Sequence, residues 1–125
     1  MQKLTSDLLE IKPAFKFIYV TDLGYTRENI DRLLPFIESA DFALIESNYR
    51  DTEIEMALAK GHLTTRQSAF LAAFSGAKTY QNTHLSSTYD GEVTEMLEEA
   101  QAFFHSFRQM SREELAAEMQ KLFYQ

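Results

Sequence analysis

Two runs of aromatic and β-branched residues, separated by a helical pattern, constrain the fold of this chain more than any other feature. The first is "FKFIYVT", residues 15 to 21, and the second is "FALIES", residues 42 to 47; both are typical of buried strands. Between them, "RENIDRLLPFIES" repeats apolar residues at helical spacing behind an N-cap at Thr26, with Pro35 expected near the helix end or at a kink. Strand, helix and strand in alternation predict an α/β fold with parallel strands.

The rest of the chain continues this alternation. From Asp51, "DTEIEMALAKG" predicts a helix that ends at Gly61, and "TTRQ", residues 64 to 67, is a capping box that opens the next helix. A short strand, "KTYQNT", follows, and then two helices, "EVTEMLEEAQAFFHSF" and "SREELAAEMQKLFY". No internal repeat or linker interrupts the chain, so we expect residues 1 to 125 to form a single domain.

Composition excludes several classes of protein. The formal net charge of −7 argues against a broad, non-specific nucleic-acid-binding surface, which needs clustered Lys and Arg. The absence of cysteine excludes disulfides and Cys-ligated zinc, so any metal needs His and carboxylate ligands. No apolar run approaches the ~20 residues of a membrane helix, and the amino terminus has no secretory pattern. We therefore expect a soluble, cytoplasmic protein.

Polar residues with metal-binding or acid-base chemistry follow the predicted strands. Asp22 comes after the first strand, Glu46 ends the second, and His84 follows the third, while His62 lies in the turn before a helix amino terminus. Ligands of α/β proteins collect beyond the carboxyl ends of parallel strands, so these four side chains are predicted to converge on one site. The helix start is also predicted to favour a phosphate or carboxylate. Spacing alone is a weak signal for such a site. An Asp after a strand is more often a turn former, and the other residues also fit turn or solvated surface positions.

Four motifs in order resemble a known family. "YVTDLG", "ALIESNY", "GHLTTRQSAFLAAFSGAK" and "NTHLSSTY" are similar to the second half of ribonuclease Z and its relatives among the metallo-β-lactamase-fold hydrolases. The resemblance covers roughly residues 15 to 104. It implies the C-terminal half of a metallo-β-lactamase αββα sandwich, in which short strands alternate with helices, plus an extra C-terminal helix over about residues 111 to 124. "ESN" and "GHL" also resemble the related DNA-exonuclease branch, so RNA and DNA substrates both stay open.

The resemblance implies a role for each site residue. Asp22 matches the carboxylate that bridges two zinc ions, with manganese as the alternative metal, and His84 matches a terminal metal ligand. His62 matches the histidine implicated in handling the scissile phosphate and protonating the leaving group. Glu46 matches the acidic residue that we expect to orient His62. The chemistry would be phosphodiester hydrolysis by metal-activated water with a nearby imidazole as acid.

The chain also departs from this family. Leu63 and the Ser47-Asn48 pair replace the usual residues after His62 and Glu46, and Thr88 stands where an Arg is common, which puts tRNA-end processing in doubt more than metal binding. The principal metal motif, His-x-His-x-Asp-His, occurs nowhere in the sequence. We therefore expect a C-terminal half that is inactive alone: a fragment of a longer enzyme, a split subunit whose partner chain supplies the N-terminal half, or a degenerate descendant.

Three classes of function follow. The first is the metal-dependent phosphodiesterase or nuclease half, acting on nucleic acid or another phosphodiester. The second is a non-catalytic module that binds a protein partner through its acidic surface and C-terminal helices, and the third is an oligomeric remnant of the fold without a role of its own. A missing half would leave a sheet edge and an apolar face exposed, so a homo-oligomer is expected as well. His105, within a helix, is expected at the surface or in an interface.

Overall fold

A parallel three-stranded sheet forms the centre of the fold. The computed structural model describes residues 14–83 and 93–123. Strands β1 (Phe17–Val20), β2 (Phe42–Glu46) and β3 (Thr79–Thr83) lie in the order β1-β2-β3. Both pairings are parallel, with Phe17 opposite Phe42 and Glu46 opposite Thr83. The predicted α/β class and strand direction are thus confirmed, whereas assignment to half of a metallo-β-lactamase sandwich stays a prediction.

The helices begin and end where the capping signals predict. Helix α1 (Arg27–Ile37) starts at Thr26, whose hydroxyl accepts a hydrogen bond from the Asn29 N–H at 3.2 Å. A 3₁₀ turn (Asp51–Glu53) leads into α2 (Ile54–Lys60), which ends at Gly61 with φ +72°. Helices α3 (Thr65–Phe74), α4 (Val93–Arg108) and α5 (Arg112–Phe123) complete the described chain. Pro35 lies two residues before the end of α1, as predicted, so the hydrogen bond that it cannot donate is lost only from the last turn.

The hydrophobic core lies on one face of the sheet. Ile18, Val20, Ala43, Ile45 and Tyr80 alternate along the three strands toward this face and are buried. Helix α3 packs on β2 and β3, and α4 packs on both β3 and α3. The Phe70 ring of α3 is fully buried and meets the Phe107 ring of α4 edge to face, with 5.5 Å between their centroids.

The opposite face of the sheet is exposed. Phe17 and Tyr19 point to this face and are 54% and 51% exposed, while their neighbours Phe42 and Leu44 are partly buried. Phe17 and Phe42 stack with 5.4 Å between ring centroids. One side of the sheet therefore carries the core, and the other presents an aromatic surface, which we call the outer face (Phe17, Tyr19, Phe42 and Leu44).

The C-terminal helix α5 packs on the protein's own core. Leu115 and Leu122 are buried, and Glu118 pairs with Arg66 of α3 at 2.6 Å. The Tyr25 hydroxyl donates a hydrogen bond to the Met119 carbonyl at 3.4 Å, and burial raises the pKa of this phenol. None of the helices in the described ranges combines the length and apolar character that a membrane crossing requires.

Candidate functional site

Three of the four predicted site residues meet at the carboxyl edge of the sheet. One donor atom each from Asp22, Glu46 and His62 lies within 4.8 Å of the other two. Asp22 is exposed, His62 is half-buried, and Glu46 is only 5% exposed. The predicted convergence is therefore observed for these three residues, which we call the carboxyl-edge cluster. The fourth, His84, lies outside the described residues.

Glu46 is placed by the sheet itself. It is the last residue of the central strand β2, and its carboxylate accepts a hydrogen bond from the Thr21 hydroxyl just beyond β1. Because Thr21 holds the oxygen Oε2, the other carboxylate oxygen of Glu46 is left for a further interaction. A buried carboxylate with one hydroxyl donor is a strong attractor for a cation or a proton donor.

Asp22 and His62 are brought together by two glycines. A Cβ atom on Gly24 would lie 3.2 Å from the Gly61 Cα atom, so any other residue there would press the loop after β1 a few tenths of an ångström away from the turn after α2. Asp22 itself has φ +54°, in the left-handed region. Its carboxylate forms no hydrogen bond to the Gly24 turn within the described chain, so the turn does not account for this side chain.

The turn that carries His62 is fixed by backbone hydrogen bonds. The His62 N–H donates to the Ala57 carbonyl at 2.9 Å, and the Asn48 N–H donates to the Leu63 carbonyl at 3.2 Å. The imidazole lies beside the Tyr49 ring, with 6.2 Å between ring centroids. In the parts of the chain that are described, no direct hydrogen bond or ion pair joins the imidazole to Asp22 or Glu46. The space between them accommodates a bridging atom.

Three backbone N–H groups at the start of α3 have acceptors within the protein. The Thr64 N–H donates to the Gln67 side chain at 3.0 Å, the Thr65 N–H donates to the Tyr49 carbonyl at 2.8 Å, and the Gln67 N–H donates to the Thr64 hydroxyl at 3.2 Å. The capping box that identified this helix in the sequence occupies two of these donors, and the Tyr49 carbonyl occupies the third. The expected affinity of this helix start for a phosphate or carboxylate stays a prediction.

The donor set of the cluster fits a divalent metal ion. Two carboxylates and an imidazole are ligands that zinc and manganese accept. Two ligand atoms of one zinc ion, each about 2.1 Å from the metal, lie roughly 3 to 4 Å apart. The three donor atoms of the cluster are at most 4.8 Å apart. Side-chain rotations that move these atoms by about 1 Å would therefore bring them to coordinating distance. His105, by contrast, is exposed on α4, as predicted.

Sequence reasoning missed two oxygen atoms beside the cluster. The side-chain oxygens of Asn48 and Thr83 are buried and have no hydrogen-bond partner in the described ranges. Thr83 lies opposite Glu46 in the β2–β3 register, and Asn48 is two residues beyond Glu46. The replacement of the family's usual residues by Ser47-Asn48 was the only signal in the sequence that pointed to this position.

The sequence is similar to ribonuclease Z from several organisms. It is 32% identical over 106 residues to ribonuclease Z of Deinococcus radiodurans, covering 84% of this chain and 32% of that protein. It is 36% identical over 96 residues to ribonuclease Z of Borrelia recurrentis, a match that covers 74% of this chain and 28% of that protein. It is 35% identical over 95 residues to ribonuclease Z of Oceanobacillus iheyensis, a match that covers 75% of this chain and 31% of that protein. No protein-family model matches the chain, and no solved structure does.

These similarities confirm a ribonuclease Z-like relationship. The chain spans about a third of the length of the relatives it matches.

Proposed function

We propose that this chain is the C-terminal part of a metal-dependent nuclease of the ribonuclease Z type and contributes the carboxyl-edge cluster to its phosphodiester-cleaving site. The observation that supports this most directly is the meeting of Asp22, Glu46 and His62 within 4.8 Å. These residues come from three of the segments that resemble ribonuclease Z.

Each residue has a distinct role in this proposal. Asp22, the most exposed of the three, holds metal together with His84, and ions bound there would activate water and stabilise an in-line phosphoryl transition state. His62, half-buried and open on one side, protonates the departing oxygen. Glu46 orients the imidazole through a bridging atom, since the two side chains form no direct hydrogen bond.

The remaining metal ligands come from outside this chain. The His-x-His-x-Asp-His motif is absent from the sequence, and two or three side chains are too few to hold a catalytic pair of metal ions. We propose that the N-terminal half of the fold supplies them, either from a further part of the same protein or from a partner chain. The exposed outer face supports such an association, because contiguous apolar surface of this kind marks an interaction site.

Complementation tests the proposed function. The chain would be mixed with the part of the Deinococcus radiodurans ribonuclease Z that lies outside the match, with zinc or manganese, and assayed on RNA and DNA strands of one sequence. We expect no cleavage by this chain alone and cleavage by the mixture, with the preferred strand identifying the substrate class.

The controls separate chemistry from folding. His62→Gln should lower the rate of the mixture by about 10²- to 10⁴-fold, whereas His105→Gln, at an exposed helical position, should leave it unchanged. A mixture that forms a stable complex but cleaves neither strand with either metal would contradict the proposal and favour a non-catalytic interaction module.

A further inference from the structure

Asn48 and Thr83 each have a buried side-chain oxygen without a hydrogen-bond partner among the described residues, and each residue is a near neighbour of Glu46 in the chain or the sheet. Asn48 is only 8% exposed, and its unpaired atom is Oδ1; in Thr83 the unpaired atom is the hydroxyl oxygen. Leaving a buried polar atom unpaired is energetically costly. Contact with an ordered water or an ion is one way in which a protein satisfies such atoms.

The backbone ties Asn48 to both sides of the cluster. It lies two residues after Glu46, and its N–H donates to the carbonyl of Leu63, the residue after His62, at 3.2 Å. Thr83 is the register partner of Glu46 in β3, so it lies on the other side of the same carboxylate. The segments that carry Glu46, Asn48 and Thr83 are thus neighbours at the carboxyl edge, beside the turn that carries His62.

We propose that Asp22, Glu46 and His62 together bind one divalent metal ion in this chain by itself, with the Asn48 carboxamide oxygen as a further ligand. Oxygen donors with a single imidazole are best suited to manganese among the common divalent ions. This proposal deepens the proposed function by naming a ligand set, and it makes Glu46 and His62 ligands in the isolated chain. A partner that adds its own imidazole ligands would take over the metal and free His62 for proton transfer.

The direct test is manganese binding. Chain stripped with a chelator and dialysed would be titrated with Mn²⁺, with free ion followed by electron paramagnetic resonance and heat by calorimetry. We expect one site per chain. Asp22→Asn, Glu46→Gln and His62→Gln should each weaken binding by at least about tenfold, whereas His105→Gln and Glu98→Gln, at exposed positions of α4, should not change it.

A second variant guards against loss of folding as the explanation. Asn48→Asp replaces a neutral oxygen ligand with a charged one, so it should tighten Mn²⁺ binding, an effect that damage to the fold cannot produce. Failure of the unmodified chain to bind, or binding that survives both Glu46→Gln and His62→Gln, would overturn the proposal.

A substitution at His84 distinguishes the two ligand sets: Asp22 and His84 in the proposed function, and Asp22, Glu46 and His62 in the isolated chain. If His84→Gln abolishes binding and His62→Gln does not, the ligands are Asp22 and His84, and the proposal made here is wrong. Cleavage by the complemented mixture is measured separately, so the nuclease function and the metal site of the isolated chain can fail independently.

Discussion

The two faces of the sheet differ in what covers them. On one face, side chains such as Ile18 and Ile45 are buried beneath α3 and α4, whereas on the other Phe17 and Tyr19 stay about half exposed. Both faces carry apolar side chains on β1 and β2, whereas β3 presents the exposed Thr79 and Gln81 on the outer side. The comparison shows that this chain has a core of its own on one side and a surface suited to association on the other. Folding and assembly should therefore respond to different substitutions.

Removing a core side chain should have the largest effect on folding. Phe70→Ala deletes a fully buried ring on the covered side and should lower the free energy of unfolding by about 3 to 5 kcal/mol. Tyr19→Thr, on the outer face, keeps a strand-forming residue and should change it by about 0.5 kcal/mol or less. Urea unfolding at one fixed protein concentration measures the free energy of unfolding of both variants. Equal decreases in the two variants would contradict the proposed difference between the faces.

Charges on the outer face should alter assembly without altering the fold. Phe17→Lys combined with Tyr19→Lys places two ammonium groups on the apolar surface, and their desolvation would oppose burial in an interface. We expect the unmodified chain to sediment as an oligomer at micromolar concentration and the double variant to sediment as a single chain. Phe36→Lys, at an exposed aromatic position of α1, is the control. A monomeric unmodified chain would contradict this prediction.

Loss of the α3 cap should have an intermediate effect. The Thr64 hydroxyl accepts a hydrogen bond from the Gln67 N–H, and the residue is fully buried beneath the helices. Thr64→Ala should lower stability by about 0.5 to 2 kcal/mol. Thr26→Ala removes the equivalent cap from α1 at an exposed position and should cost less, because water can replace the lost acceptor. Thermal unfolding measures the loss of stability in each variant. A larger loss in Thr26→Ala than in Thr64→Ala would contradict the prediction.

The smallest expected effect concerns pH. Partial burial raises the pKa of Asp51 and the Glu99 carboxylate raises it further, while Arg66 opposes both. A raised pKa in the folded state means that this group favours folding below its unfolded pKa of about 3.9 and loses that contribution as the pH rises through the folded value. The melting temperature of the unmodified chain relative to Asp51→Asn should therefore fall slightly from pH 3 to pH 7. Asp31→Asn on α1 is the control. A difference in melting temperature that rises from pH 3 to pH 7 would contradict the prediction.

Local patterns in the sequence determined the secondary structure. The caps at Thr26 and Thr64, the end of α2 at Gly61 and the three strands were all predicted within a few residues. These features depend on side chains and backbone within one or two turns, so a short window of sequence contains their cause. The positions of Asp22 and Glu46 at strand ends followed from the same reading.

Only the tertiary structure decided which of these residues meet. The approach of Asp22 to His62 depends on contact between Gly24 and Gly61, which are far apart in the chain. The same holds for the hydrogen bond from the Thr65 N–H to the Tyr49 carbonyl and for the Asn48 oxygen, which has no partner in the described chain. Both depend on how residues 47 to 49 lie beside the His62 turn. Periodicity and capping report a residue's local conformation, but contact between distant loops is set by the packing of the whole core, and no local pattern encodes it.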